Sequence, residues 1–202
     1  NFLGADYNDF GGFSPISTNK AINTAINADN SNFPNNDAEL QIHGSTGGVE
    51  QGVDLSDDGD QFTALLDPGN NAVQLEVGEQ QVTDEDVTDV ETNDGSDLQE
   101  LEFPDGVPSA VDIAVSLSSR GGTVRVDDLS VSGDNTSVSG YKMASTGGDR
   151  KVFEFVNVPS AGTVTVEGTV TVEEGQSGTV FGIDFADPNE TPDSLTSDDD
   201  PR

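Results

Sequence analysis

The sequence predicts an all-β protein, an antiparallel β-sandwich or jelly roll with an extended N-terminal arm. Apolar and polar residues alternate through most of 109–186, the period of strands with one buried face. Gly, Asp, Asn and Pro punctuate that alternation at short intervals, as turns between strands require. Between the strand patterns there is no helical period, which excludes a parallel α/β sheet.

Residues 1–36 differ from everything after them. Nine Asn occur there among Gly and small polar residues, with Phe2, Tyr7, Phe10, Phe13 and Phe33 interspersed. This stretch reads as an arm. A short helix is expected at 17–28, capped by Ser17 or Thr18, with Ala21, Ile22, Ala25 and Ile26 as one narrow apolar stripe. A β-domain is expected over 37–190, with strands at 38–43, 61–66, 72–77, 98–103, 110–117, 123–131, 137–144, 151–158, 163–173 and 179–185. Within 163–173, Val164, Val166, Thr169 and Val172 cannot share one face at strict period two, so a bulge is expected near Gly168. An acidic tail, 191–202, closes the chain.

The charge balance is extreme. Thirty-nine acids face seven bases, for a formal net charge of −32. Such a charge opposes compaction at low ionic strength and is screened within about 3 Å at molar salt. A disordered acidic chain would lack the strand period, so the charge reads as the solvated surface of a protein adapted to brine. The scarcity of Lys and the absence of Cys and Trp agree with that. Binding to nucleic acid or anionic membrane needs a basic patch, so neither partner is expected. Membrane insertion is not expected either, because no apolar run approaches the 18 residues or so of a spanning helix. The start at Asn1 leads to the expectation of an exported chain whose signal segment has been removed.

The acids cluster at 54–60, at 84–102 and at 184–200, whereas the bases concentrate between Arg120 and Lys151. The first cluster begins like a calcium loop, with Asp54, Ser56, Asp58 and Gly59 at the first, third, fifth and sixth positions. Leu65 stands where the twelfth-position Glu belongs, so the EF-hand pattern fails. A looser calcium site on Asp54, Asp57, Asp58 and Asp60 is the one cofactor reading left, against that of a plain acidic turn. Asn93, Asp94 and Asp97 form a weaker candidate of the same kind.

No catalytic constellation emerges. His43 is the only histidine and there is no G-x-S-x-G elbow. The Gly121-Gly122 and Gly147-Gly148 pairs lie between strands and read as hairpin turns rather than phosphate cradles. Two N-x-[ST] sequons, at Asn135 and Asn189, fall in expected loops and are candidate glycosylation sites.

The expectation is a non-enzymatic structural subunit of an extracellular filament, pilus or surface layer of a halophilic organism. Its main partner would be other copies of itself. They would be linked by strand addition through the arm, with Phe2, Tyr7, Phe10, Phe13, Ile22, Ile26 and Phe33 as anchors. Two alternatives stay open: a capsid or decoration protein of a virus of halophiles, located in the virion, and a calcium-dependent adhesion or carbohydrate-binding module with a glycan as partner.

Overall fold

A computed structural model describes residues 21–28, 37–43, 49–55, 58–84, 103, 105–119, 123–146, 150–172 and 179–189. Among them are twelve strands and no helix: β1 (Ala21–Ala28), β2 (Asp37–His43), β3 (Val49–Asp54), β4 (Asp60–Asp67), β5 (Ala72–Val77), β6 (Gln80–Asp84), β7 (Ala110–Ser119), β8 (Thr123–Gly133), β9 (Thr136–Thr146), β10 (Arg150–Pro159), β11 (Val164–Val172) and β12 (Thr179–Ala186). They form two six-stranded sheets, β10-β7-β12-β1-β2-β3 and β6-β5-β4-β11-β8-β9. Every pairing is antiparallel. The expected all-β architecture of two packed sheets is what the chain adopts.

The core lies between the sheets and follows the strand period. Phe62, Ala64 and Leu66 of β4, and Val73, Leu75 and Val77 of β5, are buried while their neighbours face outward. From the opposite sheet come Val111, Ile113, Val115 and Leu117 of β7 and Phe181, Ile183 and Phe185 of β12. The rings of Phe62 and Phe181 meet across the core at 4.6 Å between centroids, tilted by 58°. β7 and β12 are buried on both faces. Their outward positions carry the small residues Ala114, Ser116, Gly182 and Ala186 and the carboxylates Asp112 and Asp184.

The helix expected at 17–28 is corrected: its last eight residues are the interior strand β1. Ile22, Thr24 and Ile26 stand opposite Phe185, Ile183 and Phe181 of β12, and on the other side β1 pairs with β2. Residues 21–28 therefore belong to the body of the sandwich and not to a linking arm. The reason is physical. Alanine favours helix in isolation, but a strand flanked by two partners satisfies its backbone on both edges, and tertiary pairing overrides propensity.

The bulge expected near Gly168 is present there, but its extra residue lies on the partner strand. β11 runs past β4 without a break, and Val164, Val166, Gly168, Val170 and Val172 keep one parity. Val170, rather than Thr169, is the inward residue. The extra residue belongs to β8, opposite Gly168, where the register jumps between Glu167 and Thr169. Asp128 adopts a positive φ of 53° there. The parity of β8 accordingly switches, with Val124 and Val126 buried before the bulge and Leu129 and Val131 after it. Gly168 is needed because a Cβ would lie 3.0 Å from the Asp127 carbonyl oxygen and 3.1 Å from the Phe62 ring.

Of the strand expected at 98–103, only Phe103 lies among the described residues; it is buried in the core but outside any strand. β3 and β6 were not anticipated.

A close approach also fixes the β8–β9 hairpin to the end of β10. A Cβ on Gly133 would overlap the carbonyl oxygen of Pro159 and come within 3.0 Å of Val158 Cγ1. The same carbonyl accepts the Asp134 amide at 3.2 Å, so the backbone cannot retreat without losing that bond. Gly133→Ala is expected to cost about 2–3 kcal/mol, in the range of overpacked sites. For a chain of this size that is a Tm lower by roughly 5–10 °C, measurable by thermal circular dichroism.

Candidate assembly surface

The two lateral sides of the sandwich are built differently. On one side β10 lies against β9; on the other β3 lies against β6. All four strands end their sheets.

The β9/β10 side is bulged and aromatic. β9 carries an extra residue between the pairs Leu129↔Tyr141 and Val131↔Val138, where Gly140 has a φ of 84°. β10 carries one between Phe155↔Ile113 and Val158↔Val111, where Asn157 has a φ of 53°. Its left-handed backbone turns the Asn157 amide toward Asp112, whose Oδ1 accepts it at 2.7 Å. Val156, outward-facing next to the inward Phe155, is 63% exposed. Across the gap between the sheets, Tyr141 meets Phe153 and Phe155 edge-on, with centroids 5.7 and 5.4 Å apart. Both phenylalanines pack on the core, while Tyr141 remains 39% exposed. Bulges blunt an edge against continuous strand pairing, so this side offers side chains rather than an open ladder.

Cations gather on the same side. Lys142 Nζ donates to Asp127 Oδ1 at 2.9 Å, and that hydrogen bond, with the charge of Asp127, raises its pKa. Lys151 is exposed on β10 and Arg125 on β8. Burial, and then the neighbouring charge of Asp112, raises the pKa of Glu154 on β10. A carboxyl whose pKa is raised by folding weakens the fold where it is ionised, and the penalty fades as pH falls through the raised pKa toward the ordinary Glu value. Glu154→Gln is thus expected to stabilise slightly at pH 7, by no more than a few tenths of a kcal/mol after solvent screening. The gain should vanish in acid, which thermal melts at both pH values would record.

The β3/β6 side contrasts with this. β3 pairs with β2, and β6 with β5, without a register shift. Gln80 and Gln81 are exposed on β6, where Gln81 Nε2 donates to Thr83 Oγ1 at 3.0 Å.

The other expected site residues fall as follows. Phe2, Tyr7, Phe10, Phe13 and Phe33 lie outside the described residues, as do Asn93, Asp94 and Asp97. Ile22 and Ile26 are in β1. Asp54 ends β3, Asp60 opens β4, Asp58 is in the turn between them and Asp57 lies outside the described residues. The turn closes through Gly59, at a φ of 97°, where a Cβ would come 2.5 Å from Thr171 Oγ1 of β11. Among the described residues no group of three or more His, Asp or Glu is placed to hold a metal ion. His43 ends β2 opposite Asn23. Asn135 is exposed at the tip of the β8–β9 hairpin with a φ of 54°. Asn189 is exposed after β12 and donates from its amide and its side chain to Asp187 Oδ1, both at 2.9 Å.

A shallow polar depression of about 290 Å³ opens on the outer face of the β4–β11–β8 region, lined by Gln61, Thr63, Asp128, Glu167 and Thr169. Glu167 already accepts the Ser130 hydroxyl there at 3.2 Å. No helix among the described residues is long and apolar enough to cross a membrane.

Comparison with protein-family models and with curated proteins finds no match.

Proposed function

We propose that this protein is a non-enzymatic structural subunit of an extracellular filament, pilus or surface layer in a high-salt environment, working by association with copies of itself. The observation that carries this reading is the contrast between the two lateral sides of the sandwich: a bulged, aromatic, cation-bearing side at β9/β10 and a regular side at β3/β6. A body with two unlike ends can join copies head to tail, and such contacts extend without closing unless a rotation returns them to the start. The dense carboxylate surface keeps that body hydrated in brine.

β1 removes residues 21–28 from the linking role. Contacts between copies fall to the sheet edges and to residues 1–20, with Phe2, Tyr7, Phe10 and Phe13. The test is sedimentation velocity and negative-stain electron microscopy of the purified chain in molar salt over a range of concentrations. Growth into filaments or sheets is the expected result. A monomer at every concentration overturns the reading.

A further inference from the structure

Taking self-association as its premise, we infer that the β9/β10 side of one copy receives the β3/β6 side of the next, with Tyr141, Val156 and Lys142 at the centre of the contact. The first ground is the exposed apolar surface. Val156 and Tyr141 are the large hydrophobic side chains that stand exposed among the described residues, and both belong to this one side. Val156 follows the inward-facing Phe155 and so stands on the outward parity of an edge strand, with no neighbouring strand beyond it. Tyr141 is held by edge-on contacts to Phe153 and Phe155, so it presents a rigid aromatic edge at little cost in side-chain freedom, as interface aromatics do.

The second ground is charge. Residues 120–151, which build β8, β9 and the start of β10, hold five of the seven Lys and Arg against four acids. β3 and β6 contain Glu50, Asp54 and Asp84 and not one Lys or Arg. A second copy meeting the β9/β10 side with its own β9/β10 side would bring cations together. Meeting it with the β3/β6 side pairs strands that contain Lys142 and Lys151 with strands that contain acids and no base.

The third ground is backbone geometry. The bulged side cannot template a ladder, which leaves side chains as its means of binding, and the regular β3/β6 edge supplies the polar partners. The β9/β10 side is roughly 35 Å long and 10 Å deep from strand rise and sheet spacing, which places the contact at the small, concentration-dependent end of protein interfaces.

Salt favours this association. Two bodies of net charge −32 repel at long range, and molar salt cuts that repulsion to a reach of about 3 Å while the apolar contact and the ion pairs formed at touching distance remain.

The experiment compares the full chain with the double variant Val156→Glu/Lys142→Glu in molar salt by sedimentation and electron microscopy. Circular dichroism should show both folded, since both side chains are exposed. The variant is expected to need about tenfold more protein to assemble, equivalent to some 1.4 kcal/mol. Added to wild type as a minor fraction it should also shorten the assemblies, because its intact β3/β6 side binds a growing end and its altered side refuses the next copy. Wild-type assembly that the variant neither lacks nor shortens overturns this contact and leaves the structural role standing. Assembly that stops at a dimer overturns the head-to-tail arrangement. A wild type that never assembles overturns both.

Discussion

Dilution from about 1 M to about 0.1 M salt at neutral pH is expected to unfold the protein at room temperature. The driving quantity is the net charge of −32. Spread over a compact body of about 20 Å radius, that charge gains roughly 20 kcal/mol of self-repulsion when the screening length grows from about 3 to about 10 Å. The unfolded chain, with a radius near 48 Å, gains only about 5 kcal/mol over the same change. The difference is on the order of 15 kcal/mol, as large as the whole stability of an ordinary domain. Circular dichroism across a salt series should show loss of β-signal on dilution and recovery on restoring salt. NaCl and KCl should be equivalent, because ionic strength sets the screening. A Tm that stays level or rises as salt falls would defeat the argument.

The same charge explains part of what could be read in the sequence. Apolar residues are few enough that, where they alternate, they mark a strand. β2, β4, β5, β7, β8, β9, β10, β11 and β12 overlap the strands expected from the pattern. β3 and β6 escaped because Val-Glu-Gln-Gly-Val-Asp and Gln-Gln-Val-Thr-Asp carry too few apolar residues to show a period, as edge strands often do. β1 escaped for the opposite reason. Ala-Ile-Asn-Thr-Ala-Ile-Asn-Ala suits a helical stripe and a strand equally, and only its two partners decide.

The assembly surface was half visible. The gathering of bases between Arg120 and Lys151 stands in the sequence. That the strands of Arg125, Lys142 and Lys151 lie toward one side of the molecule follows from the sheet order, which no local pattern encodes. The exposure of Val156 depends on β10 being the last strand of its sheet, and a Val amid an apolar run gives no warning of that. Gly140 was the better clue, since Gly within a strand pattern signals a bulge.

Truncation separates folding from assembly. Removing residues 1–20 should leave a folded β-body with a cooperative melt, because it keeps all twelve described strands and the buried core between them. Removing residues 1–28 takes out β1, which lies between β12 and β2. β2 and β3 then lose their connection to the rest of their sheet, and β12 loses its partner along all eight paired positions from Ala186 to Thr179. The buried backbone groups on both newly opened edges would stand unpaired, at about 1–3 kcal/mol for each one kept from water. A handful of these exceeds the 5–15 kcal/mol that holds a domain together, so the longer truncation is expected to melt without cooperativity or not to fold. A cooperative melt at the wild-type Tm after loss of 1–28 would mean that β1 contributes nothing to the body, and would return that segment to the linking arm.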